Sequence, residues 1–181
     1  MSEKAYKTGI LVGRFQILHK GHGDMIRKAQ QICEHIDIFV GSSQESGTLK
    51  NPLSFEMRKD LLAQVFPRAG IFPLPDIGVG NTYAWGDYVI GKVVDCTGGL
   101  PDLLVSGVES RRNSWLDDKW NIAQLFVPKT IDISATRMIQ FMLDDDRASW
   151  EQYIEPGIAG RYEEIRNIVA ASRNNLNTDS I

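Results

Sequence analysis

The chain has 181 residues, of which 43% are apolar and 24% charged, with a formal charge of −3 and a pI near 5.6. That is about one domain's worth of residues, with enough apolar content for a proper core. The acidic balance excludes a non-specific nucleic-acid binder, which needs clustered Lys and Arg, although a few local cations suffice for one nucleotide. Cys33 and Cys96 are too few and too separated for a disulfide framework or a zinc cluster. No apolar stretch approaches the ~18 residues of a membrane span. The expectation is a cytoplasmic protein with neither nucleic acid nor membrane among its partners.

In chain order, residues 8–13 read as a buried strand and residues 21–34 as a helix with Met25, Ile26, Ala29, Ile32 and Cys33 on one face. The run Ile36-Asp37-Ile38-Phe39-Val40 is the next strand, ending in Gly41-Ser42-Ser43, and a polar loop then reaches Asn51-Pro52. Ser54 is a plausible N-cap for a helix whose inward stripe is Met57, Leu61, Leu62 and Val65. The segment Ile71-Phe72-Pro73-Leu74 reads as a short strand, at an edge given its proline. A Gly- and Pro-rich loop over 75–81 leads to a helix over 83–94. Leu103-Leu104-Val105 continues the strands, and Leu125-Phe126-Val127 closes them. A helix opens around Ser134 carrying Met138, Ile139, Met142 and Leu143, and residues 147–171 are helical with a break at Pro156-Gly157.

Strands alternating with helices imply right-handed crossovers and a parallel sheet. The expected class is α/β: a Rossmann-like parallel five-stranded sheet with helices on both faces and a C-terminal helical extension from about residue 134. Residues 1–172 read as a single domain and the polar residues 173–181 as a disordered tail. Ligands in such sheets bind beyond the carboxyl ends of the strands. The loops 13–22, 41–52, 75–85 and 106–115, together with the turn before Ser134, should therefore converge.

The most telling stretch is Gly13-Arg14-Phe15-Gln16-Ile17-Leu18-His19-Lys20-Gly21-His22. A strand delivers two histidines, three positions apart, to the start of a helix, where backbone N–H groups attract anions. Imidazoles that donate hydrogen bonds beside such amides make a polyphosphate site. Two other readings are a metal site shared at helical spacing and a pair of incidental histidines. The metal reading lacks further ligands, since the only other histidine is His35 and no Cys or carboxylate cluster accompanies the pair. His35 reads as a surface or strand-edge residue.

The order strand, Gly-Arg-Phe-Gln, His-x-Gly-His, helix resembles the signature of the nucleotidyltransferase superfamily, which cuts nucleoside triphosphates between the α and β phosphates. Further segments resemble archaeal-type nicotinamide mononucleotide (NMN) adenylyltransferases. These are Gly41-Ser42-Ser43-Gln44-Glu45-Ser46, Lys50-Asn51-Pro52-Leu53-Ser54 with Arg58, Pro75-Asp76-Ile77 with Asn81 and Trp85, and Ser134-Ala135-Thr136 with Met142-Leu143-Asp144-Asp145 and Trp150. The likeness covers roughly residues 8–160.

The resemblance implies transfer of AMP from ATP to the 5′-phosphate of NMN, giving NAD and pyrophosphate, with Mg²⁺ held mainly by ATP phosphates and no metal ligands from the protein. It assigns catalysis to His19, His22 and Arg14. It places ATP on Gly13, Arg14, Phe15, Gln16, His19, His22, Ser134, Thr136 and Arg137. It places NMN on Phe15, Ser42, Lys50, Asp76, Asn81 and Trp85, the indole stacking on the nicotinamide ring. Trp85 as a core residue and Lys50 and Arg58 as a solvated face are the plain alternatives. Relatives commonly form rings or dimers, so a homo-oligomer is expected.

The chain also departs from the family pattern. Where an arginine normally follows the threonine by three positions, this chain has Ile139, and the nearest cation is Arg137, about 200° away around the helix. Ser106-Gly107-Val108-Glu109 lacks the usual Asn, with Arg111 and Arg112 as candidate phosphate contacts or a solvated pair. Ile17-Leu18 replaces the common Pro-Phe. Two other functions stay open on sequence grounds. One is a nucleotidyltransferase for nicotinate mononucleotide, phosphopantetheine or a cytidylyl acceptor. The other is a catalytically weak module that senses ATP or NMN.

Overall fold

The computed structural model describes residues 3–107 and 115–175. Five strands form one sheet: β1 (Tyr6–Gly13), β2 (Cys33–Gly41), β3 (Gly70–Leu74), β4 (Leu103–Ser106) and β5 (Ala123–Phe126). Their order across the sheet is β3-β2-β1-β4-β5, and every pairing is parallel. The helices are α1 (Lys20–Ile32), α2 (Phe55–Val65), α3 (Tyr83–Thr97), α4 (Ala135–Leu143), α5 (Arg147–Tyr153) and α6 (Tyr162–Asn175). The expected α/β architecture holds, and the reversal of strand order falls between β1 and β4, where ligands bind in such sheets.

Adjacent residues of the central strands enter two different cores, which is why these strands read as unbroken apolar runs. Leu11, Ile38, Val40, Leu103 and Val105 pack with α1, α2 and the C-terminal helices. Ile10, Phe39 and Leu104 point the other way, against Val89, Ile90 and Val93 of α3 and against Trp115 and Leu116. Helices thus cover both faces, unequally.

Several boundaries differ from the sequence reading. Cys33 opens β2 instead of closing α1, because its neighbours pair with β1 from Tyr6 onward. The closing strand runs over Ala123–Phe126, two residues earlier than expected, in register with β4. Pro73 is accommodated because β3 is an edge strand. The helical extension breaks into α5, a 3₁₀ turn (Pro156–Arg161) and α6. Helix α6 continues to Asn175, past the expected start of the tail at 173.

Gly86 sets how closely α3 approaches the sheet-side segment. A Cβ on this residue would lie 1.9 Å from the Trp115 carbonyl oxygen, a backbone atom that cannot swing aside. Gly86→Ala should therefore destabilise the protein by about 1–3 kcal/mol, the usual cost of overpacking, although alanine is the better helix former. Chemical denaturation reads this directly, as a fall in midpoint at unchanged slope.

Candidate functional site at the carboxyl end of β1

Strand β1 ends at Gly13, and the chain turns sharply through Phe15, whose φ of 48° is left-handed. A bulky residue rarely adopts that conformation except where a site requires it. The turn buries the Phe15 ring and sets it 4.9 Å from the His22 ring.

Helix α1 begins one residue after His19, which is its N-cap. Histidine is not a preferred cap, yet its Nδ1 accepts a hydrogen bond from the His22 backbone N–H at 3.3 Å, and its carbonyl accepts from the same N–H at 2.9 Å. The two imidazoles stack with centroids 3.8 Å apart and planes 14° apart. Two consequences follow. A neutral His19 carries its proton on Nε2, because Nδ1 is the acceptor. The His22 amide, expected to face an anion, is engaged by His19 itself. His22 Nδ1 is buried without a hydrogen-bond partner among the described residues.

Both rings lose proton affinity to burial. The His19 pKa falls from 6.5 to about 4, through desolvation first and then the nearby positive charge of Lys129. That of His22 is lowered well below 6.5, again by desolvation and then by His19. Both are neutral near pH 7 when no ligand is bound.

The neighbouring loops are sewn to this turn by buried polar groups. Gln16 donates from Nε2 to Asn51 Oδ1 at 3.2 Å, and its Oε1 accepts from the Leu53 backbone N–H at 2.9 Å. Arg14 Nη1 donates to the same Asn51 oxygen at 3.4 Å, and Asn51 Nδ2 donates to Glu45. The Gln16 side chain is thus committed to the 51–53 segment, while Arg14 remains partly exposed at the rim.

Arg58, expected to be either a contact or a solvated residue, is fully buried. Its guanidinium donates to the carbonyls of Arg14 (2.8 Å), Gly41 (2.8 Å), Ser42 (3.1 Å) and Ser54 (3.2 Å). Desolvation and the Arg14 charge lower its pKa to about 10, which leaves it cationic at neutral pH. Ser42, itself left-handed at φ 47°, is held by this clamp.

On the other side, Ser134 caps α4 by accepting from the Arg137 N–H at 3.2 Å. Ser134 and Arg137 line a cleft of about 410 Å³ together with Lys129, Asp132, Ile133 and Tyr153. Ile139 is buried in the core, so no cation can reach phosphates from that position. Arg137 lies on the exposed face, its guanidinium 5.4 Å from the Phe141 ring centroid. Thr136 is exposed one residue before it.

The remaining expected contacts lie along the rim. Lys50, Asp76 and Asn81 are exposed. The 41–52 and 75–81 loops join where Gln44 pairs with the Asp76 backbone in both directions, at 3.1 and 3.0 Å. Trp85 occupies the first turn of α3, half-buried against the second core with its ring 5.5 Å from that of Tyr88. Arg111 and Arg112 lie outside the described residues. His35 is half-exposed on β2 and faces the buried Asp37 at 2.9 Å.

Sequence reasoning missed Lys129, in a loop, and Tyr153, at the end of α5, which line the cleft without belonging to any motif. It also missed the burial of Arg58, although Arg58 falls at helical spacing from Leu61 and Leu62, on the inward stripe.

Among the described residues, no group of three or more His, Cys, Asp or Glu could hold a metal ion. No helix among them is long and apolar enough to cross a membrane.

Comparison with known proteins agrees with this geometry. The cytidylyltransferase-like family profile matches residues 10–141. Nicotinamide-nucleotide adenylyltransferase from Thermococcus onnurineus is 30% identical over 172 residues, covering 90% of this chain and 85% of that one. The protein of the same name from Pyrococcus furiosus is 30% identical over 174 residues, covering 90% and 86%. In fold, the chain is similar to a bifunctional NMN adenylyltransferase/ADP ribose pyrophosphatase from Francisella tularensis, at a TM-score of 0.75 and 22% identity. That match covers 94% of this chain and 54% of the larger protein, so the chain spans about half its length. With the His19–His22 turn at the switch point of a five-stranded parallel sheet, the chain belongs to the nicotinamide-nucleotide adenylyltransferase family and is a nucleotidyltransferase.

Proposed function

We propose that this protein transfers AMP from ATP to the 5′-phosphate of NMN, forming NAD and releasing pyrophosphate. The observation that carries this reading is the stacked His19–His22 pair at the end of β1, with Arg14 on one side and the Ser134 cleft on the other. An oxygen of the NMN phosphate attacks the α-phosphorus of ATP, and the bond to the β-phosphate bridging oxygen breaks. No covalent enzyme intermediate is needed, so catalysis reduces to positioning and to neutralising charge on the leaving pyrophosphate.

The site's chemistry suits that task. His19 presents a neutral Nε2–H as a donor, and an approaching polyphosphate would raise both pKa values and strengthen the grip as charge develops. The Arg14 guanidinium, just past β1, is anchored by Asn51 of the loop that follows β2. Lys129 and Arg137 supply positive charge from the cleft side, in place of the arginine that Ile139 replaces. Among the described residues there is no carboxylate cage, and Mg²⁺ fits as part of an MgATP substrate, its charge offsetting that of the phosphates. Trp85 offers a flat face to the nicotinamide ring.

Incubating the protein with MgATP and NMN should yield NAD and pyrophosphate in equal amounts. Product formed only with nicotinate mononucleotide, phosphopantetheine or a cytidylyl acceptor would reassign the substrate. His22→Ala should lower kcat on the order of 10²-fold or more, the usual loss for a transition-state donor. Arg137→Ala and Lys129→Ala should each raise the KM for ATP, and the double variant more than either. Unaltered ATP kinetics in the double variant would remove the cleft from the ATP site.

Stability should also depend on pH in a fixed direction. His19 binds its proton more weakly folded (about 4) than unfolded (6.5), so acid favours the unfolded chain. Stability is intact above pH 6.5 and falls as pH drops from there to about 4. At about 1.4 kcal/mol per unit, His19 alone accounts for about 3 kcal/mol, and His22 acts in the same sense. Denaturation midpoints for wild type and His19→Gln across this range check it; the variant should show a shallower decline.

A further inference from the structure

The turn bearing the two histidines is gripped from far along the chain. Glu155 is fully buried, and its two carboxylate oxygens accept from Arg27 Nη1 at 3.0 Å and Nη2 at 2.5 Å. Its backbone N–H donates to the Leu18 carbonyl at 3.3 Å, and the preceding Ile154 forms an isolated antiparallel bridge with His19. Lys20 Nζ donates to the Gln152 carbonyl at 2.5 Å. A Cβ at Gly23 would fall 1.7 Å from Glu155 Oε1, so the carboxylate is seated directly against the α1 backbone one residue after His22. From the opposite side, Asp24 accepts from Thr130 at 2.7 Å and from Lys28 at 2.7 Å.

Every one of these contacts touches residues 18–27, the segment that holds the imidazoles. An ion pair between a buried carboxylate and a half-exposed guanidinium is a poor way to add stability, since desolvation of the acid offsets much of the attraction. It is a good way to fix one geometry, because a bidentate Arg–carboxylate pair tolerates little displacement. Glu155 does not line the cleft beside Ser134, so it does not act by touching a ligand there.

We propose that Glu155, through its pair with Arg27 and the Ile154–His19 bridge, is a positioning residue that fixes the His19–His22 pair in its reactive arrangement. This rests on the adenylyl-transfer reading above for its kinetic consequence, but not for its structural one. The stretch that follows α5 is then part of the catalytic apparatus, although no motif there announces it.

The test uses full-length Glu155→Gln, which keeps shape and removes charge, and Arg27→Lys, which keeps charge and removes the fork. Three quantities are measured: kcat and KM for both substrates, the melting temperature, and the ¹⁵N signals of the His19 and His22 rings without substrate. In Glu155→Gln, kcat should fall about 10-fold or more, as small misplacements of reacting groups do, with KM for NMN unchanged and both ring signals displaced. Arg27→Lys should show the same pattern in weaker form, and it carries the test if Glu155→Gln does not fold. Wild-type kcat, or wild-type ring signals, in a folded variant overturns the proposal even if the melting temperature drops. Should the wild-type protein make no NAD, the adenylyl-transfer reading fails, while the ring signals still decide whether Glu155 positions the pair.

Discussion

The hydrogen bond from the His22 amide to His19 Nδ1 is the contact on which the site's chemistry turns. It makes a histidine the cap of α1, stacks the two rings and fixes the His19 tautomer with Nε2–H as a donor. The cost is local. The capping residue is not a favoured one, Phe15 holds a left-handed backbone, and His22 Nδ1 has no hydrogen-bond partner among the described residues. Local rules broken together at one turn mark a place selected for what it binds.

That turn is held by buried polar groups on two sides. Arg58 ties together the carbonyls that follow β1 and β2, and Gln16 and Asn51 bind the 51–53 segment to the same turn. Opposite them, Glu155 and Arg27 bind the C-terminal extension to α1. Arg58, Gln16, Asn51 and Glu155 are each buried, costly to bury alone and tolerable because their partners satisfy them. The sheet supplies rigidity beneath, through strands buried on both faces. Catalysis by positioning requires this kind of support, since a loosely held donor loses its advantage over water.

The sheet and the histidine turn were legible in the sequence because their signals are local. Runs such as Ile10-Leu11-Val12 declare strands packed on both sides, Pro73 declares an edge, and Ser54 declares a cap that the structure confirms. Element ends were less legible. The periodicity of α1 continues through Cys33, and only pairing with β1 decides that Cys33 belongs to a strand. Arg58 read as either a contact or a solvated residue, because the carbonyls that justify its burial come from three separate segments. Lys129 carries no motif and matters only because the chain folds it beside His19. Glu155 and Arg27 are 128 residues apart, beyond any pattern that local spacing can reveal. The substitution at Ile139 was visible, but its meaning was not: only the fold shows that this side chain belongs to the core.

The central claim is that the His19–His22 pair grips a polyphosphate. Titrating pyrophosphate into ¹⁵N-labelled protein while following both imidazoles by NMR tests it directly. The account predicts saturable displacement of both rings' signals, with their pKa values rising toward neutrality as the anion binds. Pyrophosphate that saturates the protein while leaving both rings at their unliganded positions would contradict it.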